Sequence, residues 1–224
     1  EESAPTGKVI GLDCDPAAVA RAKQNLESFG ERFIPIRKNF RALKEVPHSL
    51  AIPAVDGILA DLGFSSAQLD DPKRGISFRW EAPLAMRLVP EGPLTAGELI
   101  RRLAAEEMEK IFREYGEERW AGRIAKAIVR ERRVRPLQTT GDLLRIIAGA
   151  TPSYRSRIHP ATRTFQALRL AVNEELASLG IFLRECPDLL KPGRRLGVIS
   201  FHSLEDRIVK EHFRKWGKRG KGET

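Results

Sequence analysis

Val55-Asp56-Gly57-Ile58-Leu59-Ala60-Asp61-Leu62-Gly63-Phe64-Ser65-Ser66 decides the architecture. A short aliphatic run ends abruptly at an acid and is followed by glycine, an aromatic and two serines. A buried parallel strand that hands its last residue to a crevice reads this way. In open α/β sheets, ligands collect beyond the carboxyl ends of the strands. Asp61 is therefore expected where chemistry is done.

Working outward, Lys8 to Leu12 reads as an earlier strand that ends at Asp13. Asp15 suits a helix N-cap and Pro16 its first position. Val19, Ala22, Leu26 and Phe29 share one helical face, and Gly30 ends it. Phe33 to Ile36 reads as another strand. Beyond Asp70 the strand pattern stops and prolines collect (Pro72, Pro83, Pro90, Pro93). Thr95-Ala-Gly-Glu98 is a capping box that opens a run of helices. Met108, Ile111, Phe112 and Tyr115 form one stripe, and Trp120, Ile124, Ala127 and Ile128 the next. A third helix begins near Thr139. The α/β pattern then returns. Phe165 to Cys186 reads as one long helix, Lys191 to Arg195 as a turn, and Leu196 to Ser200 as a buried strand. Ser203-Leu-Glu-Asp206 is expected to cap a last helix.

This predicts an α/β fold with a doubly wound, mostly parallel sheet and an inserted helical domain. Residues 1–85 form the first part of the core, 86–159 the insertion and 160–216 the second part of the core. Residues 217–224 are expected to be a disordered basic tail.

The 224 residues are 42% hydrophobic, enough for a sizeable core and a smaller appended domain. No apolar run is long enough to span a bilayer. Two cysteines, Cys14 and Cys186, make no disulfide framework, which fits a reducing cytoplasm. The net charge is +9, and it is clustered. Residues 119–163 hold eleven Lys/Arg against two acids, and residues 207–221 hold seven against one. Such clusters suit nucleic acid or an anionic membrane, with a solvated surface as the plainer alternative. Arginine dominates the first cluster, and its fork matches phosphate, which favours nucleic acid.

Several residues could carry chemistry. Asp13, at a strand end, suits the two hydroxyls of a ribose, though capping would also explain it. Asp61-Leu-Gly-Phe64 could hold an exocyclic amine. A carboxylate and a carbonyl would accept its two N–H groups, and the ring would stack on the base. A plain strand-end turn with a buried Phe is the alternative. His202, within Phe201 to Arg207, could accept a proton or simply position the chain. No Cys/His set has zinc spacing, and no phosphate-cradling loop is present, so no metal is expected. Tyr154, Arg155, Arg157 and the stretch His159 to Arg169, with Arg163, mix cations and aromatics in a way that suits RNA.

Four motifs occur in order: Asp56 to Phe78 (D-G-I-L-A-D-L-G-F-S-S-A-Q-L-D-D-P-K-R-G-I-S-F), Y-G-E-E-R (Tyr115 to Arg119), H-P-A-T-R-T-F-Q-A-L-R (His159 to Arg169) and F-H-S-L-E-D-R-I-V-K (Phe201 to Lys210). Together they resemble the MraW family, bacterial 16S ribosomal RNA cytosine-N4 methyltransferases, over nearly the whole chain. The resemblance implies a Rossmann-like S-adenosylmethionine-dependent enzyme that methylates a decoding-centre cytosine of 16S rRNA in the small ribosomal subunit. It also implies that Asp13, Phe40, Asp61 and Gln68 bind the cofactor. Phe64 and Phe201 would wall the base pocket. Arg130, Arg132, Arg133, Arg155, Arg157 and Arg163 would hold the rRNA, with a homodimer as one option for assembly. The resemblance departs at Phe64, at Ala85, where the family has an acid, and at Arg194, where it has glycine. Its glycine-rich loop would precede the Asp13 strand, so the chain is expected to be a fragment cut at both ends.

A rival reading is a catalytically impaired RNA- or ribosome-binding member of the same fold. A third is the same fold acting on DNA or protein amines, and the arginine cluster argues against a protein substrate. If the basic clusters grip RNA, affinity measured by anisotropy should fall steeply between low and moderate salt. A flat response would remove them as the RNA site.

Overall fold

The computed structural model describes residues 5–152 and 159–219. Its elements run β1 (Val9–Asp13), α1 (Pro16–Asn25), β2 (Phe33–Arg37), α2 (Glu45–Ser49), β3 (Val55–Asp61), α3 (Ser66–Leu69), α4 (Ala96–Arg102), α5 (Ala105–Gly116), α6 (Ala121–Val134), α7 (Thr140–Ala150), α8 (Ala161–Val172), α9 (Glu175–Leu189), β4 (Leu190–Ile199) and α10 (Ser203–Arg219). They divide into two compact units. One is made of residues 1–63 and 176–224, the other of residues 64–175.

The first unit is α/β. Asp15 caps α1 by accepting the Ala17 N–H at 3.0 Å, with Pro16 at the first helical position. Gly30 breaks the turn that follows at φ 56°, a conformation glycine adopts without strain. β1 and β2 then pair in parallel, from Val9 opposite Phe33 to Asp13 opposite Arg37. β3 pairs in parallel with β4. Parallel pairing agrees with the sequence expectation. A single doubly wound sheet does not appear: among the described residues the strands form two separate pairs.

One helix face serves both pairs. Leu179, Phe182, Leu183, Cys186 and Leu189 of α9 are buried and cluster with Leu12 of β1, Ile58 and Ala60 of β3, and Leu196 and Val198 of β4. The spacing of these α9 residues is the 3.6-residue period of an amphipathic helix. Burial pushes the Cys186 thiol up to about 12, so it packs as a small apolar group.

Four sequence expectations are corrected. Lys191 to Arg195 is not a turn but part of β4, where Gly193 at φ 73° accommodates a bulge. The register jumps there from Val55 opposite Leu190 to Gly57 opposite Arg195. The helix expected over Phe165 to Cys186 is two helices. Apolar periodicity continues across the junction, but Glu174 turns left-handed at φ 50°. The N-cap of α10 is His202 rather than Ser203: its carbonyl accepts the Asp206 N–H at 3.1 Å and its Nδ1 the Glu205 N–H at 3.4 Å. α10 continues to Arg219, so residues 217–219 are helical, and residues 220–224 lie outside the described residues.

The second unit is helical. Thr95 with Glu98 and Thr139 with Asp142 make reciprocal capping boxes for α4 and α7. The core is built from Met108 and Phe112 of α5, Ile124 and Ile128 of α6, Leu143 and Ile147 of α7, and Leu168 of α8. α5 and α8 approach closely at Gly116, where a β-carbon would lie 2.4 Å from the Arg163 carbonyl oxygen. Gly149, inside α7, has nothing within 4 Å of the corresponding position. The two glycines should therefore respond oppositely to alanine in thermal melts. Gly116→Ala should destabilise by about 1–3 kcal/mol through overpacking, and Gly149→Ala should stabilise by about 0.5–1 kcal/mol.

Candidate active site

The sequence-predicted site residues fall into three local groups. The first lies at the carboxyl ends of β1 and β2. Asp13 is exposed there; its Oδ1 accepts the Asp15 N–H at 2.7 Å and its carbonyl accepts the Lys38 N–H at 3.1 Å. Asn39 then caps a short turn that sets Phe40 edge-on to Phe182 of α9, with ring centroids 5.6 Å apart. Phe40 is thus held by the core while remaining half-buried.

The second group lies at the carboxyl ends of β3 and β4. Ile58 and Ala60 face the α9 cluster, so strand alternation turns Leu59 and Asp61 to the opposite face. Asp61 is exposed, opposite Ile199, and the Leu62 N–H donates to the Ile199 carbonyl at 3.1 Å. Leu59 is 73% exposed, Ile199 45% and Phe201 69%, so Asp61 stands on an open apolar face. The Phe201 ring edge lies 3.5 Å from where a Gly63 β-carbon would be.

Glu205 organises the turn that presents Phe201. It is 3% exposed and accepts the Phe201 N–H at 2.9 Å. His202 Nε2 lies 3.3 Å from Glu205 Oε1, close enough for attraction but not aligned as a hydrogen bond. With Nδ1 accepting a backbone N–H, the ring proton sits on Nε2. His202 thereby caps α10, the positioning role weighed for it from the sequence. Glu205 was missed there, and a carboxylate three residues after a cap is the signal that could have found it.

The third group opens the helical unit. Ser65 caps α3, accepting the Gln68 N–H at 3.3 Å, while Gln68 Oε1 accepts the Ser65 N–H at 2.8 Å. Gln68 is buried and its amide also reaches the Leu88 carbonyl at 3.5 Å. The Arg169 guanidinium lies 4.6 Å from the centroid of Phe64, and its Nε donates to Glu175 at 2.9 Å. Asn173, also missed, receives the Leu88 N–H on its Oδ1 and donates to the carbonyls of Met86 and Arg169, each at 2.8 Å. It holds Met86, which is fully buried at φ 54°. Arg74 is buried beside it, paired with Asp71 and donating to the Leu88 carbonyl. A β-carbon at Gly75 would lie 2.1 Å from the Pro83 carbonyl oxygen. Much of the Asp56 to Phe78 motif therefore serves this packed turn.

The arginines expected to hold RNA differ in their surroundings. Arg133 is exposed, and Arg130 is exposed with Glu131 at 3.9 Å. Arg132 Nη1 donates to the carbonyls of Ile100 and Leu103, closing the end of α4. Arg163 Nη1 donates to the Glu117 carbonyl at 3.1 Å. Arg155 and Arg157 lie outside the described residues. The Arg194 departure has a structural partner: Arg194 and Lys191 both pair with Asp56, at 3.1 and 2.8 Å. The Lys191 hydrogen bond holds the Asp56 carboxyl below the usual carboxylate range. Among the described residues no cluster of His, Cys, Asp and Glu could hold a metal, and no helix is long and apolar enough to cross a membrane.

Residues 2–221 match the MraW methylase family. The chain belongs to the MraW methylase family. It is 51% identical over 221 residues to the ribosomal RNA small subunit methyltransferase H of Desulfosudis oleivorans, covering 97% of this chain and 71% of that protein. It is 50% identical over 218 residues to the protein of that name from Symbiobacterium thermophilum, covering 96% and 69%. To that from Heliobacterium modesticaldum it is 52% identical over 210 residues, covering 92% and 67%. As a MraW methylase the chain is a methyltransferase, and its strand-end acids stand where α/β enzymes place ligand contacts.

The Asn173 lock should be measurable without activity. Asn173→Ala removes one acceptor and two donors around a residue at positive φ. Chemical denaturation should show a loss of about 2–4 kcal/mol. A loss under about 0.5 kcal/mol would show that Met86 is held by other contacts.

Proposed function

We propose that the protein transfers a methyl group from S-adenosylmethionine to the exocyclic N4 of a cytosine in the decoding centre of 16S rRNA, in the cytoplasm. The observation that carries this reading is the family match across nearly the whole chain, at about half identity to three small-subunit rRNA methyltransferases. The arrangement of the site residues is compatible with it.

The residues present fit such a cofactor. A nucleoside with vicinal hydroxyls calls for a carboxylate acceptor at a strand end, and Asp13 exposes one there. Phe40 offers a half-buried aromatic beside the same strand ends. In this reading Asp13 holds the ribose, Phe40 contacts the adenine, and Asp61 and Gln68 complete the cofactor site. When bound, the cofactor supplies an electrophilic methyl group on sulfur.

The protein's own task is to make a poor nucleophile ready. The cytosine N4 lone pair is delocalised into the ring. Asp61 accepts an N–H from that amine and favours a pyramidal nitrogen whose lone pair is no longer conjugated with the ring. Phe64 stacks on the base, and Arg169 keeps the Phe64 ring in place. His202 positions Phe201 through Glu205. The methylated nitrogen, carrying one proton too many, sheds it to water, so no dedicated base is needed. Residues 86–159 recognise the rRNA, with Arg130, Arg132, Arg133, Arg155, Arg157 and Arg163 as phosphate contacts.

The test is methyl transfer from labelled S-adenosylmethionine to small ribosomal subunits that lack the modification, with the product nucleoside identified by mass spectrometry. Wild type should yield N4-methylcytosine. Asp61→Asn should lower the rate at saturating substrates by about 10²–10³-fold, the size of effect seen when one electrostatic contact to a reacting group is lost. Asp13→Ala should weaken calorimetric binding of the cofactor at least tenfold. Binding of RNA with no methyl transfer would instead support the non-catalytic reading.

A further inference from the structure

A surface pocket of about 340 Å³ lies on the helical unit, and none of the residues that line it has been given a catalytic or cofactor role above. Glu109 and Arg113 of α5, Arg119 and Trp120 of the connecting corner, and Arg123 and Lys126 of α6 line it. Four cations therefore face one carboxylate. That carboxylate is already engaged: Glu109 Oε1 accepts from Arg113 Nε at 2.9 Å and Nη2 at 2.8 Å. It also packs against the first turn of α6, where a Gly122 β-carbon would lie 2.7 Å from Glu109 Oε2.

The other cations are held without being neutralised. The guanidinium carbons of Arg119 and Arg123 each lie 5.2 Å from the Trp120 ring centroid. Such contacts fix a guanidinium by its face and leave its N–H edges to bind. Among the described residues, no carboxylate lies within ion-pairing distance of Arg119, Arg123 or Lys126. All three are exposed.

The corner that presents them is built by the Tyr115 to Arg119 motif, which the proposed chemistry does not use. Gly116 permits the close approach of α8, and Glu117 turns left-handed at φ 49° with its carbonyl accepting Arg163 Nη1. Glu118, 5% exposed, accepts the Trp120 N–H at 2.8 Å. A buried carboxylate thus anchors the aromatic that carries both arginines.

We propose that Arg119 and Arg123, both held against Trp120, together with Lys126, form a binding site for an RNA backbone phosphate. The Trp120 ring is occupied by guanidinium, so the site takes a phosphodiester rather than a stacked base. Glu109 stands in for that phosphate in the free protein: it occupies the positive end of α6 and engages Arg113, as an entering phosphate would. The proposal rests on the RNA-modifying reading above, and it adds a backbone contact made by residues with no part in the chemistry.

The test uses the full chain and an RNA hairpin with the small-subunit decoding-centre sequence, with affinity followed by anisotropy across a salt series. The double variant Arg119→Ala/Arg123→Ala should weaken binding about tenfold and lower the slope of log affinity on log salt by about 1–2, since each lost phosphate contact removes somewhat less than one unit. Arg123→Lys, which keeps the charge but loses the fork, should fall between. Glu109→Gln should tighten binding two- to threefold by removing the competing charge. Melting temperature checks that each variant is folded. Unchanged affinity and slope in a folded double variant would overturn the proposal.

Methyl transfer separates this outcome from failure of the functional reading. If the site is right, the double variant raises KM for RNA and leaves KM for S-adenosylmethionine unchanged. If wild type binds the hairpin and the double variant does not, yet neither methylates it, the phosphate site stands and the assigned reaction falls.

Discussion

The apolar face of α9 is the constraint on which the α/β unit depends. Both parallel strand pairs rest on it: Leu12 from one pair, and Ile58, Ala60, Leu196 and Val198 from the other, meet Leu179, Phe182, Leu183 and Cys186. Among the described residues the two pairs share no hydrogen-bonded ladder, so this face is their common support. It also sets which way the strand-end acid points. Because Ile58 and Ala60 must face α9, the two-residue period of the strand turns Asp61 to the open side.

The helical unit depends on close backbone approaches that side chains then lock. Gly116 lets α5 meet α8. Gly75 lets its turn pass under Pro83, and Asn173 bridges Met86, Leu88 and Arg169. Such contacts carry no catalytic group, yet they fill the motifs that made the chain resemble its family. Arg74 and Gly75 lie in the same motif as Asp61 and serve packing. A motif is thus a mixture of exposed strand-end groups and the packing that holds their turn.

Charge follows the same division. Of the described arginines in the basic cluster, Arg132 closes a helix end and Arg163 ties α8 to the corner after α5. Arg119 and Arg123 each lie against the Trp120 ring, with guanidinium carbons 5.2 Å from its centroid. Net charge alone cannot separate these uses, because a guanidinium that caps carbonyls and one that awaits a phosphate count the same in a sequence.

The sequence by itself determined the local elements and the family. Strand ends at Asp13 and Asp61, the Thr95 and Thr139 capping boxes, and the helical stripes of α5, α6 and α7 were legible because each is written in adjacent residues. Only the tertiary structure decided the rest. The helix read through Phe165 to Cys186 breaks at Asn173 and Glu174, because the Asn173 side chain is drawn to a segment more than eighty residues away in sequence. The turn expected over Lys191 to Arg195 was absorbed into β4 as a bulge, because β3 pairs with Leu190 before it and with Arg195 to Ile199 after it. The role of Glu205 and the pairing of Arg119 and Arg123 with Trp120 were likewise invisible beforehand. Such contacts depend on which surfaces meet, and local propensity carries no record of that.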